Sequence, residues 1–428
     1  MTDRRVASRK IAHARGPAGA KERPMGKHSI EITPAERDDL VARARKLAES
    51  FAAVGAKADE ENQLPLELVP LYKESGLAKL IVPKKYGGFG ADLWTVALVE
   101  KELASWGDPA ITLSFNMHHV MVGIFRDLLQ EEARARLFKQ VVEDNALISG
   151  PFSEERAGFS TIADTVAVPD GNGGWHVSGK KNWATFIEGA DIVTFNATIT
   201  DADGKVPEDY EEHKARESVF IVPVNTPGIS IQRTWDTFSM RASGTQTCVF
   251  DKVPVPADGY GGPFRTGLIG EMEWVSFPFA GVYLGVADRA LRLVRDSLAK
   301  KSLGHTVSGA NVMVRDVGHI QHQLGQAIVE LELAERAVRG TADLLAAGED
   351  ANWSAAERPA RISIAKIAAT EAAVRVSDIA MRLTGGGAIR RGGPLERAFR
   401  DARAGIYHPL SGDAVYELLG KSQLGVLG

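Results

Sequence analysis

The hydrophobic periodicity of the chain changes twice along its 428 residues, and this constrains the fold more than any other feature. From about residue 30, apolar residues recur at helical spacing after Thr33-Pro34-Ala35-Glu36, which has the residue types of a capped helix start. From 146, short period-two runs are rich in Val, Ile, Thr and Phe. Helical spacing returns from about 270. This order predicts an α+β chain in which a β unit separates two helical blocks.

We therefore divide the chain into four parts. These are a disordered basic tail at 1–28, an N-terminal α-helical domain at 29–145, a middle β-barrel or β-sandwich domain at 146–262 and a C-terminal four-helix-bundle-like domain at 263–428. The tail composition also fits a mitochondrial transit peptide, and Met25 is an alternative start. Strands are expected at 165–168, 175–178, 192–198, 219–224, 229–232 and 245–250, and C-terminal helices at 279–300, 311–347, 354–384 and 412–422.

Composition excludes several classes of protein. The 51 basic and 55 acidic residues leave a formal charge of −4, which argues against a nucleic-acid binder. The single cysteine, Cys248, excludes an internal disulfide and a cysteine-rich metal site, and it fits a cytoplasmic compartment. No apolar run reaches the roughly 18 residues that span a membrane, so no membrane partner is expected.

Motifs for nucleotides and metals are missing from the sequence. It contains no Walker loop, no His-Glu-x-x-His and no Cys-x-x-Cys. His118 and His119 are adjacent, so their side chains would point about 100° apart on a helix and could not chelate one ion together. We expect one to be hydrogen-bonded in the core and the other to line a cavity, with no metal site. Arg390 and Arg391 either bind a phosphate or belong to a solvated loop.

Four local segments follow one another in a fixed order. Residues 153–160 read Ser-Glu-Glu-Arg-Ala-Gly-Phe-Ser, and 179–185 read Gly-Lys-Lys-Asn-Trp-Ala-Thr. Residues 240–256 begin Met-Arg-Ala-Ser-Gly-Thr and end in a double-proline strand. Residues 382–403 contain Arg-Leu-Thr-Gly-Gly-Gly, Pro-Leu-Glu-Arg and Arg-Asp-Ala-Arg. Together with the α–β–α order, these segments resemble the acyl-CoA dehydrogenase family of flavoproteins over nearly all of residues 33–428.

The resemblance implies an activity, a cofactor and partners. Members of that family hold FAD between the middle and C-terminal domains and oxidise the Cα–Cβ bond of an acyl thioester. The expected function is therefore an FAD-dependent dehydrogenase of fatty acid metabolism that acts on acyl-CoA or a carrier-bound acyl group. Its electrons would pass to an electron-transfer flavoprotein, and the assembly would be a homodimer or homotetramer.

The same resemblance implies site residues. Trp183 and Thr185 match the family's positions beside the flavin ring, and Gly385 and Gly386 match those beside the FAD diphosphate, where a Cβ would collide. Arg156 and Phe159 match positions along the substrate. The other expected cofactor-binding residues are Phe152, Ser153, Arg382, Ser411 and Asp413.

The sequence departs from the family at the catalytic base. Family members remove the α-proton with a glutamate while the β-hydride passes to the flavin. The equivalent count from Asp401 reaches Pro409, so His408, one residue away, is the leading candidate base. Glu273, close to the family's other base position, is the second candidate. Asp413 is third, because a carboxylate at a helix start is stabilised as the anion.

These departures leave two alternatives to a dehydrogenase. The family's Arg-x-x-Phe-Gly segment, which reaches FAD across the dimer, is also replaced in the stretch 301–310. The first alternative is a flavin-dependent monooxygenase or oxidase, in which the flavin activates oxygen and no glutamate is needed. The second is a non-catalytic subunit that binds acyl-CoA or flavin.

Overall fold

The computed structural model describes residue 28 and residues 31–155, 162–264, 268–305, 309 and 311–426. The N-terminal part is helical, as expected. Its first helix starts at a capping box, in which the Thr33 side chain accepts the Glu36 N–H and the Glu36 carboxylate accepts the Thr33 N–H. The helices are α1 (Pro34–Glu61), α2 (Leu68–Ser75), α3 (Leu93–Trp106), α4 (Pro109–Leu128) and α5 (Glu131–Glu143).

The middle part is a sheet interrupted by one short helix. Its elements are β1 (Ile148–Ser149), β2 (Val166–Pro169), β3 (Trp175–Ala184), β4 (Ile192–Ile199), α6 (Tyr210–Arg216), β5 (Glu217–Pro223), β6 (Ile229–Gln232), β7 (Gln246–Val255) and β8 (Tyr260–Pro263). The strands are ordered β6-β7-β3-β2-β4-β5-β8, with β1 added beside β4. The β1–β4 and β2–β4 pairs are parallel, and the others are antiparallel.

All six expected strands are present, but the pattern did not predict β1, α6 or β8. Strand β1 is too short to show a period, and β8 reads Tyr-Gly-Gly-Pro, which has the composition of a turn. Strand β7 was expected to end at Phe250 and instead continues to Val255. Lys252, with φ of +48°, lies where the register against β3 shifts, and this irregularity interrupts the alternation.

The C-terminal part is again helical, so the predicted α–β–α fold is confirmed. The predicted start of the first C-terminal helix, near 279, was wrong, because this helix begins at Met272 and continues through Pro278. A helix over 311–347 was also wrong at its start, because 311–313 pair with 302–305 in a hairpin. The elements are α7 (Met272–Leu298), β9 (Ser302–His305), β10 (Asn311–Met313), α8 (Gly318–Ala346), α9 (Arg358–Thr384), α10 (Pro394–Asp401) and α11 (Gly412–Leu424).

Helix α7 packs directly against α3 and joins the two helical parts in one core. A Cβ at Gly281 would lie 2.5 Å from the Ala97 carbonyl oxygen, and one at Gly285 would lie 2.5 Å from the Ala104 Cβ. Both glycines are therefore required by the close approach of the helices. No helix among the described residues is long and apolar enough to cross a membrane.

A buried polar junction connects helix α10 to the other two parts. Arg397 donates to the Asp108 carboxylate at 2.6 Å, and the Asp401 carboxylate accepts the Met240 N–H at 2.7 Å. Burial, followed by the repulsion of Asp108, raises the pKa of Asp401 to about 7, although the Met240 N–H and Arg400 act in the opposite direction. This carboxyl group therefore titrates near neutral pH.

Replacing Asp401 by Asn should make the stability less dependent on pH, because Asn can accept the Met240 N–H but cannot ionise. The folded-state pKa of about 7 lies above the value of about 3.9 in an unfolded chain. The stability that Asp401 contributes is thus complete below about pH 4 and is lost as the pH rises through 7. At 1.36 kcal/mol per pKa unit, the wild type should lose up to about 4 kcal/mol that the Asn variant retains.

Urea unfolding at pH values from 4 to 8 measures this difference. Asp236→Asn is the matched control, since the Asp236 side chain is 95% exposed. Parallel stability curves for the wild type and Asp401→Asn would show that the Asp401 carboxyl does not titrate in this range.

Candidate functional site

The end of strand β3 presents an aromatic side chain to solvent. Trp183 has a φ of +57°, unusual for a bulky residue, and it is 59% exposed. Its indole meets that of Trp235 edge to face, with ring centroids 5.6 Å apart. The Thr185 N–H donates to the Trp183 carbonyl at 2.8 Å and closes the turn. The local backbone therefore holds one indole face outward.

A row of hydroxyl groups leads away from this turn. The Thr185 Oγ1 lies 3.0 Å from the Thr245 Oγ1, which lies 2.8 Å from the Ser243 Oγ. The Ser114 hydroxyl on α4 donates to the Ser243 carbonyl. Helix α4 of the N-terminal part thus helps to hold the Thr185 hydroxyl in place, through Ser243 and Thr245.

Residues 152 and 153 lie beside the same strand. The Asn182 N–H donates to the Ser153 carbonyl at 2.8 Å, and the Phe152 ring stacks on Phe264 with centroids 5.3 Å apart. The structure thus brings Phe152 and Ser153 next to the turn at 183–185. We predict that all of these residues contact the cofactor. The predicted substrate residues Arg156 and Phe159 lie outside the described residues.

A buried ion pair anchors both ends of the 156–161 segment. The Lys181 ammonium on β3 donates to Glu154 at 2.6 Å and to the Asn196 side-chain oxygen at 2.8 Å. The same Glu154 carboxylate accepts the backbone N–H groups of Asp164 and Thr165. Burial opposes the ionised form of Glu154, but the Lys181 ammonium prevails and lowers the pKa of the carboxyl. One side chain on β3 therefore fixes the residues that precede and follow the segment.

The loop after α10 carries His408 and places it against α7. Its imidazole packs on Phe279 with centroids 4.3 Å apart, and its Nε2 lies 2.8 Å from the Tyr283 hydroxyl. The Lys366 ammonium donates to the His408 carbonyl at 2.8 Å. Burial, reinforced by Lys366, lowers the pKa of His408 to about 3. His408 is therefore a neutral imidazole across the physiological range.

The other two candidate bases lie elsewhere. Glu273 is fully buried at the start of α7, where Arg358 donates to both of its oxygens at 3.1 and 3.2 Å. The His28 Nε2 lies 2.8 Å from the same carboxylate. Asp413 is exposed in the first turn of α11, just after Ser411, whose hydroxyl accepts a backbone N–H of that turn. Glu273 is thus neutralised by Arg358, and Asp413 faces solvent.

The glycine-rich segment after α9 is open. Gly385 has a φ of +79°, and a Cβ built at Gly385 or Gly386 meets no atom within 4 Å. Arg382 is 72% exposed and pairs with Asp378 at 2.7 Å. This backbone can therefore be approached closely by a ligand, while the guanidinium already has a carboxylate partner.

The adjacent histidines are both structural. His118 accepts the Ile148 N–H at 3.0 Å, and the His119 Nδ1 lies 2.6 Å from the Glu100 carboxylate. Both side chains are fully buried, so the expectation that one of them lines a cavity is not met. Helix α4 uses its polar face to bind neighbouring segments instead.

Lys181 and Lys366 were missed because buried lysines are rare. A signal was nevertheless present. Lys181 follows Val177 at a spacing of four on a period-two strand, which places it on the inward face. Lys366 follows Ile362 by one helical turn on the buried face of α9.

Three family models match successive parts of this chain. They are the acyl-CoA dehydrogenase N-terminal domain at 34–144, the middle domain at 151–253 and the C-terminal domain at 277–411. The chain belongs to the acyl-CoA dehydrogenase family. The family match covers both the turn at 183–185, at the end of β3, and the loop that carries His408.

Relatives within the family have diverse names. The putative acyl-CoA dehydrogenase YdbM of Bacillus subtilis is 28% identical over 91% of this chain and 98% of its own length. The L-evernosamine nitrososynthase of a Micromonospora strain is 30% identical over 87% of this chain and 86% of its own. The dibenzothiophene monooxygenase of Mycolicibacterium goodii is 26% identical over 86% of this chain and 90% of its own length.

The fold also matches solved structures. The FMN-bound TdsC of Paenibacillus sp. A11-2 superposes with a TM-score of 0.78 over 90% of this chain and 97% of its own, at 22% identity. This chain is therefore an oxidoreductase-type member of a scaffold that serves more than one reaction.

Replacing Lys181 by Met should destabilise the protein by about 3–5 kcal/mol, because the Glu154 carboxylate would remain buried without its cation. The double variant Lys181→Met/Glu154→Gln should recover more than half of that loss, since residue 154 is then no longer a buried charge without its cation. Urea unfolding measures both values. Lys180→Met, on the exposed face of the same strand, is the matched control and should change stability by less than about 0.5 kcal/mol. A single variant as stable as this control would contradict the anchoring role of Lys181.

Proposed function

We propose that the protein is a flavin-dependent monooxygenase built on the acyl-CoA dehydrogenase scaffold. The observation that carries the proposal is the chemistry at the two family base positions. The stretch 404–410 contains no Asp or Glu, and Glu273 is paired with Arg358 and His28. A dehydrogenase needs a carboxylate there to remove the α-proton, whereas an oxygen-activating flavoprotein does not.

His408 is a poor substitute for the missing carboxylate. A general base works best when its pKa lies near the operating pH, and the pKa of His408 is lowered to about 3. Its neutral imidazole instead suits a group that holds or passes a proton without forming a charge. The Tyr283 hydroxyl at 2.8 Å remains protonated, because burial raises its pKa well above 10. Together the two side chains can keep one proton between the His408 Nε2 and the phenol oxygen.

The residues around the end of β3 fit a flavin ring. The outward indole of Trp183 offers an apolar face to a planar group, and the Thr185 hydroxyl is held by Thr245. Phe152 and Ser153 would line the same side, and Gly385 and Gly386 would allow phosphate groups to approach the backbone. When bound, a reduced flavin supplies the two electrons with which dioxygen places one oxygen atom on the substrate and leaves the other as water.

Two comparisons support this choice. A dibenzothiophene monooxygenase matches most of the chain, and the similar fold of TdsC binds FMN.

A second candidate is the FAD-dependent acyl-CoA dehydrogenase. The similarity to YdbM over 91% of the chain favours it. In that case the protein would oxidise an acyl-CoA or carrier-bound acyl thioester, pass electrons to an electron-transfer flavoprotein and work as a homodimer or homotetramer. A partner chain would then have to supply the base.

Oxygen reactivity separates the two candidates. The purified protein should bind reduced flavin more tightly than oxidised flavin and should accelerate its reoxidation by oxygen. With dibenzothiophene as a probe, oxygen uptake should be accompanied by an oxygenated product. Bleaching of bound flavin by a panel of straight-chain acyl-CoAs without oxygen would overturn the proposal in favour of the dehydrogenase.

Replacing His408 by Gln should lower the oxygenation rate by about 10²-fold, the lower end of the range for a proton-transferring group, because the pKa of the imidazole lies far from the operating pH. His319→Gln is the matched control, because His319 is exposed at the start of α8. A His408 variant within threefold of this control would remove His408 from the reaction.

Replacing Gly386 by Val tests whether the flavin carries a diphosphate. A Cβ at this position meets no atom within 4 Å, so the melting temperature without flavin should stay within a few degrees of the wild type. If FAD is the cofactor, its retention through gel filtration should fall at least tenfold, because the side chain occupies the approach to the diphosphate. Unchanged FAD retention would count against this site, and retention of FMN alone would show that no diphosphate is bound.

A further inference from the structure

Helix α9 buries an ammonium group that has no carboxylate partner among the described residues. Lys366 is fully buried, and the hydrogen bond that its Nζ makes is the one to the His408 carbonyl, at 2.8 Å. The acidic group that acts on its pKa is Glu371, which is half-exposed and pairs with Arg375 at 3.4 Å. Burying a charge without a counter-ion destabilises a fold. A lysine in this position therefore calls for a role other than stability.

The loop that receives this hydrogen bond is held on both sides. The His408 ring packs on Phe279 and meets the Tyr283 hydroxyl, while its carbonyl faces Lys366. Gly405 allows the loop to enter, since a Cβ there would lie 2.8 Å from the Tyr283 ring and 2.7 Å from Thr370. Helix α7 thus fixes the imidazole, and α9 fixes the backbone that carries it.

We propose that Lys366 is the positioning residue that holds His408 at the site. This inference rests on the proposed function in that it assigns His408 to the reaction. Lys366 acts through His408: its hydrogen bond sets the backbone, and its charge disfavours a second positive charge on the ring.

The surrounding groups determine how this arrangement depends on pH. Tyr283 on α7 stays protonated, Glu371 is solvated and Asp401 on α10 titrates near 7. Burial lowers the pKa of Lys366 to about 8. This is below the unfolded value of about 10.4. The buried charge therefore lowers the free energy of unfolding below pH 8, and this destabilisation disappears as the pH rises from 8 toward 10. Deprotonation also weakens the hydrogen bond to the His408 carbonyl, because a neutral amine is a weaker donor than an ammonium. The loop should therefore loosen locally as the pH passes through 8, although the free energy of unfolding of the whole chain rises.

Carbethoxylation of His408 by diethyl pyrocarbonate measures this directly in the full chain without flavin or substrate. The rate is read by mass spectrometry on the peptide that contains His408. In the wild type it should rise at least fivefold in a step centred near pH 8. His408 itself is neutral throughout this range, so the step cannot come from its own titration.

The variants assign the step to one group. In Lys366→Met the rate should already be high at pH 6.5 and should show no step, while stability at pH 7 should equal or exceed that of the wild type. A purely structural lysine would instead give a less stable protein. Asp401→Asn should keep the step near pH 8. Lys421→Met, which removes a surface ammonium paired with Glu417, is the control and should match the wild type.

Equal labelling rates in the wild type and Lys366→Met between pH 6.5 and 9 would overturn the proposal, as would a step that persists in the variant. If Lys366→Met does not fold, the wild-type curve decides alone, because a rate independent of pH contradicts the inference. The outcome is independent of the oxygenation assay, so Lys366 can fail as a positioning residue while the monooxygenase proposal stands, and the reverse also holds.

Discussion

The close contact between α7 and α3 is the constraint on which the site depends. Because Gly281 and Gly285 let the two helices touch, α7 lies in a fixed position between the N-terminal part and α9. From there it presents Phe279 and Tyr283 to the loop that carries His408. The imidazole is thus positioned by helix packing rather than by the loop itself.

The two buried lysines near the candidate site residues have different partners. Near β3, the buried Lys181 is balanced by Glu154, and the ion pair ties local backbone groups together. Near α9, the buried Lys366 faces a neutral carbonyl. His408, Tyr283 and the hydroxyls of Thr185 and Thr245 carry no net charge at neutral pH. Such neutral hydrogen-bonding groups suit chemistry in which protons move in short steps and no strong base is needed.

The sequence predicted the fold through features that are local. The capping box at Thr33 and the strand at 229–232 depend on a few neighbouring residues, and both are found where expected. The errors arose where tertiary contacts override local preference. Pro278 lies inside α7 because the surrounding residues are buried on all sides, and residues 311–313 pair with a strand instead of joining α8.

The sequence predicted less of the candidate site than of the fold. Motif resemblance selected Trp183, Thr185, Gly386 and His408, and these assignments remain predictions. The environment that defines the chemistry of His408 comes from Tyr283 and Lys366, which lie 125 and 42 residues away along the chain. A pattern of nearby residues contains no information on such distant partners. The low basicity of the imidazole could therefore only be derived from the three-dimensional structure.

The Lys181–Glu154 anchor makes the segment 156–161 a replaceable unit. The Lys181 ammonium on the sheet holds Glu154, and the Glu154 carboxylate accepts the Asp164 N–H, so both of these contacts are made outside the segment. A new sequence of similar length could be inserted there while the ion pair is kept. Exchange of this one short segment would then leave the strand that carries Lys181 unchanged.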